Sequence, residues 1–270
     1  MKTDRVKAVL EDLEKTLIEF MRKHNITHEE YRMATDVLLE TVKAGEESLL
    51  YDIFFEAAIT EIGNKAREGS PEAIEGPFYI PGAPRLEPPY VLRQRKNEAG
   101  DILFFNGRVV DRQGRALPNV EVDVWSADAD GLYSNIHPGT PDWNLRGRLY
   151  TDSNGWFEVR TIVPPPYEIP KNGPTGRVLT ALGRHFFRPS HLHVKLRHTQ
   201  FGEMTSQVYF RGGRYLESDV ANAVRDELIV DLIRHDTAES LASRGLDKPY
   251  YEVRYDFVLS AANQLAAAME

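Results

Sequence analysis

The pattern of apolar positions divides the chain into a helical first part and a β-rich remainder. Across residues 5–24, apolar side chains recur every three or four positions, which is the spacing of one face of an α-helix. Thr27, followed by Glu30, predicts a capping box that begins a second helix, which should end near Gly45. A third helix is predicted over residues 47–63. Three short amphipathic helices cannot bury all these faces among themselves, so some apolar surface must meet the following domain or another subunit.

From about residue 102 the period of the pattern changes to two, which predicts β-strands. Turn signals such as Asp152-Ser153-Asn154-Gly155 recur about every 8–12 residues, and this spacing favours a sandwich of antiparallel sheets. We therefore predict an α+β protein, in which an N-terminal helical arm is followed by a mainly antiparallel β-sandwich with long loops. A short late helix is predicted at Val220–Arg225, and an extra turn in the Ala-rich tail Ala261–Glu270. The predicted strands are Ile102–Asp111, Val120–Ser126, Arg146–Thr151, Trp156–Val163, Gln207–Arg211 and Tyr250–Leu259.

Charge and composition limit the function classes. The net charge of −8 and the pI near 5.6 argue against a partner that is recognised through its phosphate backbone, so no nucleic acid is expected. The chain has no cysteine, which excludes disulfides and thiolate ligands and suits the reducing cytoplasm, where we place the protein. We expect neither a signal peptide nor membrane insertion, because the first residues are charged and no apolar run approaches ~20 residues.

One stretch combines strand periodicity with residues that can bind metal. Leu192, Val194 and Leu196 alternate with His191 and His193. Residues i and i+2 of a strand share a face, so both imidazoles can face a single ion. The alternative is a surface strand that happens to carry two histidines. A metal site would need further ligands, and in a chain without cysteine these must be Asp, Glu, Tyr or His.

Two neighbouring features are compatible with such a site. Tyr167 lies in a segment with four prolines, Pro164–Pro170, whose rigid backbone could hold a ligand in place. In many such loops the tyrosine only packs. Arg188, close to the histidine pair, could hold an anionic substrate or stabilise charge that develops in a transition state; its alternative role is a surface salt bridge.

Several motifs together resemble the intradiol ring-cleaving dioxygenases, in particular the catechol and chlorocatechol 1,2-dioxygenase group. The resemblance extends from the helical start to about residue 259, and its motifs are specific in combination although each alone is weak. The matching segments are Glu75–Tyr79, Asp123–Trp125 with Asp130–Ser134, Asn144–Gly147, Pro166–Pro170 with Gly173–Gly176, and Gly183–His185 with Arg188–His193.

The resemblance implies a non-haem Fe(III) bound by two tyrosinates, two histidines and a hydroxide. The residues at the matching positions are Tyr133, Tyr167, His191 and His193. It further implies that the protein cleaves catechol, or a simple substituted catechol, with O2 to a cis,cis-muconate. Tyr167 would leave the metal and accept one proton of the diol.

The resemblance also implies roles for residues outside the ligand set. Arg188 would stabilise negative charge on the substrate ring, and Gln207 would lie near the substrate as a third catalytic residue. The implied substrate pocket consists of Leu49, Asp52, Ile53, Phe78, Tyr79 and Arg188. Several relatives have a small residue where Ile53 stands. The larger side chain should narrow that side of the pocket, so we expect poorer acceptance of bulky substituents.

The family's organisation implies a helical dimerisation and linker domain over residues 1–70 and a catalytic β-sandwich over residues 71–270. The implied assembly is a homodimer through the N-terminal helices with a phospholipid at the interface. The surplus apolar helix faces agree with a dimer.

Alternatives remain within and outside the family. Within the family, the second choice after catechol is a 1,2-dioxygenase that prefers chlorocatechol or methylcatechol. A hydroxyquinol 1,2-dioxygenase is the third choice, because Ser134 after Tyr133 and the sequence Pro-Tyr-Glu-Ile-Pro around Tyr167 are more similar to the catechol enzymes. A zinc hydrolase would use His191, His193 and a carboxylate with a metal-bound water. A non-enzymatic β-sandwich binding module with a helical dimerisation arm would need no metal.

Overall fold

The computed structural model describes residues 3–260, and the tail predicted to form an extra turn lies outside the described residues. The chain divides into two compact units, residues 1–47 and 48–270. The domain boundary near residue 70 stays a prediction.

The first unit contains two helices, α1 (Thr3–Lys23) and α2 (His28–Ala44). The predicted capping box of α2 is confirmed: Thr27 Oγ1 accepts the Glu30 N–H at 3.2 Å, and Glu30 Oε2 accepts the Thr27 N–H at 2.8 Å. The helix ends at Gly45, whose φ of 68° stops it in the left-handed region. No residue of α1 is buried, and several of its large apolar side chains are at least half exposed: Val9, Leu10, Leu13, Leu17 and Phe20.

The second unit begins with a continuous helical run, as predicted. It consists of α3 (Glu47–Tyr51), a π-helical turn (Asp52–Glu56) and α4 (Ala57–Lys65). Leu49 and Ile53 are buried one turn apart and belong to an apolar cluster with Phe78. The π-helical turn was not predicted, and such turns are frequent at functional sites.

Twelve strands follow in the described part of the chain. Two five-stranded sheets and one two-stranded ribbon contain them. Their bounds are β1 Ile102–Asp111, β2 Glu121–Trp125, β3 Arg146–Tyr150, β4 Trp156–Ile162, β5 Tyr167–Glu168, β6 Phe187–Arg188, β7 His191–His198, β8 Gly202–Phe210, β9 Ile229–Val230, β10 Ile233–His235, β11 Tyr250–Arg254 and β12 Phe257–Leu259.

The two large sheets form the predicted sandwich. In the first sheet the strand order is β10-β11-β1-β12, and β4 also pairs with β1. In the second sheet the order is β3-β2-β7-β8-β9. The ribbon consists of β5 and β6. Buried residues of both sheets, such as Phe105 and Val194, belong to a single apolar core. Pairing is mainly antiparallel as predicted, although β1 pairs in parallel with β11 and β12, and β8 with β9.

The predicted helix at Val220–Arg225 is wrong. The Asp219 carboxylate accepts the backbone N–H groups of Ala221 and Ala223, and Asn222 has a φ of 50°, so the segment forms a tight turn. The helical elements of this half of the chain are α5 (Pro174–Ala181), a 3₁₀ turn (Asp226–Leu228) and α6 (Ala238–Arg244).

The single strand predicted at Tyr250–Leu259 is two strands in the structure. It breaks where the Asp256 side chain accepts the Arg108 N–H at 2.9 Å. Within residues 3–260, none of the helices has the length and apolar character needed to cross a bilayer.

Candidate active site

The two histidines lie side by side on β7 at the core of the second unit. Both are 2% exposed, and their Nε2 atoms are 3.0 Å apart. The register places His191 beside Tyr209, and His193 between Trp125 and Gln207. Nδ1 of His191 lies 2.8 Å from the Pro189 carbonyl, which can only accept, so Nδ1 carries the hydrogen and Nε2 keeps its lone pair.

His193 is fixed by its two strand neighbours. The indole of Trp125 stacks on its ring, and the Gln207 amide lies 3.3 Å from its Nδ1 while donating to the Ile74 carbonyl at 2.8 Å. Burial lowers the pKa of His191 to about 3 and the pKa of His193 well below its usual range. Both imidazoles are therefore neutral at pH 7, the form that binds a metal.

Tyr133 is brought to the histidines by a tight turn after β2. The Asp128 carboxylate accepts the Leu132 N–H at 3.0 Å, and Gly131 has a φ of 81°. A Cβ on Gly131 would lie 3.1 Å from Cβ of Tyr167, so the glycine also allows the turn to approach the second tyrosine closely. The buried Tyr133 hydroxyl interacts with the phenol of Tyr167 and has no other hydrogen-bond partner within residues 3–260.

Tyr167 lies on the β5–β6 ribbon, directly opposite Arg188. Its ring centroid is 5.2 Å from that of Tyr133 and 5.7 Å from that of His191. Burial is the main cause that raises the pKa of both phenols. They stay neutral unless a cation is bound beside them. All four side chains suggested as ligands thus converge at one place in the structure.

Arg188 is almost completely buried beside this group. Its Nη2 donates to the side-chain oxygens of Gln207 and Tyr209, each at 3.0 Å, and it forms an ion pair with Asp219. Sequence reasoning missed Asp219 and Tyr209. The alternation of β8 could have indicated Tyr209, which lies two residues after Gln207 and so shares its face.

A small enclosed cavity lies against these side chains. Most of the expected pocket residues line it together with Tyr167 and His193: Leu49, Asp52, Ile53, Phe78 and Arg188. Tyr79 is not among the lining residues. Its hydroxyl instead donates to Asp123 Oδ2 at 3.1 Å, and its ring packs against Trp125.

One wall of the cavity carries the carboxylates of Asp52, which was expected there, and Glu75, and a further carboxylate that was not predicted, Glu56, is bonded to this wall. Glu56 Oε1 accepts the Glu75 N–H at 2.7 Å, and Oε2 lies 3.3 Å from the Gly76 nitrogen, so the π-helical turn is joined to the loop that carries Phe78. Burial and then the charge of Asp52 raise the pKa of Glu56. Burial likewise raises the pKa of Asp52.

A second buried cation, Arg146, lies beside Tyr133. Arg146 is 1% exposed and donates to Ser134 Oγ at 3.1 Å and to the Phe78 carbonyl at 2.7 Å. Its guanidinium carbon is 5.8 Å from the Tyr133 ring centroid, and burial lowers the pKa of Arg146 to about 10. This positive charge favours negative charge at the tyrosine.

Within residues 3–260, no group of three or more His, Asp or Glu side chains is arranged to hold a metal ion. The donors that surround the histidine pair are the two tyrosines, which are hard oxygen ligands when ionised.

Two family models match the chain. The model described as "Dioxygenase" matches residues 74–261, and "Catechol dioxygenase N terminus" matches residues 3–70. The chain is 39% identical over 222 residues to the chlorocatechol 1,2-dioxygenase of Pseudomonas putida, covering 82% of this chain and 83% of that protein. It is 31% identical over 267 residues to the catechol 1,2-dioxygenase of Acinetobacter baylyi, covering 95% of this chain and 85% of that protein.

The crystal structure of 3-chlorocatechol 1,2-dioxygenase from Rhodococcus opacus superimposes with a TM-score of 0.88 at 40% sequence identity. The match covers 97% of this chain and 100% of that one.

Proposed function

The chain belongs to the intradiol dioxygenase family, and from this premise we propose that it cleaves catechol, or a simple substituted catechol, with O2 to a cis,cis-muconate. The observation that supports this best is the convergence of two neutral histidines and two buried tyrosines beside a small cavity, which Tyr167, His193 and Arg188 line. The same arrangement supports an enzyme over a binding module.

The proposed cofactor is the non-haem Fe(III) that the family uses. Tyr133, Tyr167, His191 and His193 would hold it, since two imidazole lone pairs and two phenolate oxygens suit a hard ferric ion. The buried Tyr133 hydroxyl, whose neighbour is another phenol, and the nearby Arg146 fit a phenolate that would bind a cation. When bound, the ferric ion supplies a Lewis-acid site that takes up the diol as its dianion and activates it towards O2.

The two tyrosines are not equivalent. Tyr167 lines the cavity whereas Tyr133 does not, which supports Tyr167, in its phenolate form, as the group that would accept a proton from a diol. Arg188 presents a positive charge to the same cavity and would stabilise negative charge on the ring. Gln207 holds both Arg188 and His193 in place.

The cavity supports a small, planar aromatic substrate. Ile53, Phe78 and Ile169 give it apolar walls, and the Asp52 carboxylate would oppose ring carboxylates. A chlorocatechol-preferring enzyme is the second candidate, because the chlorocatechol 1,2-dioxygenase of P. putida is more similar in sequence than the catechol 1,2-dioxygenase of A. baylyi. A hydroxyquinol substrate ranks behind both.

The proposed assembly is a homodimer through the N-terminal helices, with a phospholipid at the apolar interface. In the first unit, large apolar side chains of α1 and α2 are about half exposed or more, and a partner surface would cover them: Val9, Leu10, Leu13, Leu17, Leu39 and Val42. A cytoplasmic location belongs to the same proposal and is supported by the absence of cysteine.

The visible spectrum of the anaerobic protein tests the proposal. Iron-replete protein should be red from tyrosinate-to-iron charge transfer, and catechol should shift the band to longer wavelength. Tyr133→Phe and Tyr167→Phe should each weaken the band, whereas Tyr51→Phe, whose side chain is exposed, should leave it unchanged. An iron-replete but colourless protein would contradict the ligand set.

A further inference from the structure

The guanidinium of Arg188 is held along one edge by the carboxylate of Asp219. The two side chains are 4% and 2% exposed. Nε of Arg188 lies 3.1 Å from Oδ1, and Nη2 lies 3.0 Å from Oδ2, which is a side-on bidentate pair. This pair occupies the Nε–Nη2 edge and leaves Nη1, which lies 3.3 Å from Nε2 of His191. The carboxylate therefore determines which guanidinium nitrogen faces the candidate ligands.

Asp219 is itself fixed by the backbone. Oδ1 accepts the Ala221 N–H at 3.2 Å, and Oδ2 accepts the Ala223 N–H at 3.0 Å. Each oxygen thus has one bond to the arginine and one to the turn. The carboxylate cannot rotate or move away from Arg188 without breaking bonds at both ends.

The neighbours of Arg188 on β8 are neutral and cannot replace this anion. Gln207 Oε1 and the Tyr209 hydroxyl accept from Nη2, and the Tyr209 hydroxyl also donates to Gln207. Hydrogen bonds to neutral groups hold a buried guanidinium less firmly than a bidentate carboxylate does.

We propose that Asp219 is a positioning residue for ring cleavage, which orients Arg188 so that Nη1 faces the site. Asp219 does not line the cavity, and it acts through Arg188. The inference rests on the proposed function, because it assigns Arg188 a role in the reaction. A residue that only anchored the turn would affect folding and the cavity wall at Ala221 without depending on Arg188.

The test variant is Asp219→Asn in the iron-containing enzyme. The amide keeps the size of the side chain but loses the charge and one acceptor oxygen. The matched control is Asp231→Asn, at an ion pair with Arg211 in which both side chains are mostly exposed. We expect kcat for catechol to fall about 10- to 100-fold in Asp219→Asn, because a misplaced charge-stabilising group loses much of its effect. The Kd for catechol, measured anaerobically from the charge-transfer band, should change less than about threefold in this variant. In the control, kcat and this Kd should each change less than about twofold.

The decisive comparison repeats the substitution in an Arg188→Ala background. If Asp219 acts through Arg188, Asp219→Asn should lower kcat there by less than about twofold, because the group it orients is gone. Wild-type kcat in the single variant, or an equally large loss in both backgrounds, would overturn the positioning role while leaving the proposed function intact. A wild-type enzyme that shows no ring cleavage would overturn both. If Asp219→Asn is not recovered folded, Asp219→Glu is subject to the same criteria.

Discussion

The indole of Trp125 stacks flat on the imidazole of His193, with ring centroids 4.6 Å apart and planes inclined by 10°. The two residues face each other across the β2–β7 pairing, so the register of the sheet sets the contact. Trp125 is 1% exposed, and its Nε1 has no hydrogen-bond partner within the described residues. The indole therefore acts on the histidine through its ring face alone.

We expect Trp125→Phe to weaken iron retention about 10-fold, because a smaller ring leaves the His193 imidazole free to tilt. No hydrogen bond is lost, so the substitution changes only ring contacts, those of the indole with His193 and with Tyr79. Iron per chain after dialysis against a graded series of chelator concentrations measures it. The control is Trp156→Phe on β4, a partly exposed residue near Arg254. Equal iron retention in wild type and Trp125→Phe would show that the stack has no such role.

Ile53 narrows the cavity, and Ile53→Ala should widen it. The side chain is 3% exposed and lies in the cavity wall with Phe78. We expect the ratio of kcat/KM for 4-methylcatechol to that for catechol to rise about 10-fold, since one or two methylene groups of space are worth that much discrimination. Steady-state kinetics on both substrates give the ratio.

Ile59→Ala is the matched control, because Ile59 lies in the same helical run but is 67% exposed. It should leave the ratio unchanged. If Ile53→Ala also leaves it unchanged, another residue limits the pocket.

Glu56 should make stability depend on pH. Burial first, and then Asp52, raises the pKa of Glu56 in the folded protein. A carboxyl group whose pKa is higher in the folded than in the unfolded protein stabilises the fold while it is protonated. This contribution is fully present below the pKa that the group has in the unfolded protein, and it is lost as the pH rises through the pKa that it has in the folded protein. Glutamine does not ionise and can still accept the Glu75 N–H. Glu56→Gln should therefore gain stability relative to wild type as the pH rises from about 4 to 7.

Urea unfolding at several pH values measures this difference. Glu61→Gln, an exposed residue of α4, controls for a general effect of removing negative charge. A difference between Glu56→Gln and wild type that is constant with pH, or that shrinks as the pH rises, would contradict the prediction.

Much of the fold was predictable because its signals are local. The alternation around His191 and His193 correctly placed both imidazoles on one face of a strand, and the Thr27–Glu30 capping box lies within a single helical turn. The helix predicted at Val220–Arg225 failed because Asp219 takes up the backbone N–H groups of the turn, and its pairing with Arg188 spans 31 residues of sequence.

The candidate site was only partly visible in the sequence. Spacing alone supported the histidine pair, whereas the weight given to Tyr133 and Tyr167 depended on the family resemblance. Glu56 and Asp219 left no local pattern, since each acts on a segment distant in sequence. Arg146 lies in one of the matching motifs, Asn144–Gly147, but no role was predicted for it, because its burial beside Tyr133 follows from packing between separate segments.

Tyr79 is the expected pocket residue that does not line the cavity, and one substitution tests whether it contacts the substrate. Its hydroxyl donates to the buried Asp123 and also contacts Arg197, and its ring packs against Trp125. Tyr79→Phe should therefore change kcat and KM for catechol by less than about twofold. It should lower the free energy of unfolding by about 1–2 kcal/mol, because Asp123 loses a donor while it stays buried. Kinetics and urea unfolding of the same preparation separate the two effects, and a tenfold rise in KM with unchanged stability would place Tyr79 at the substrate after all.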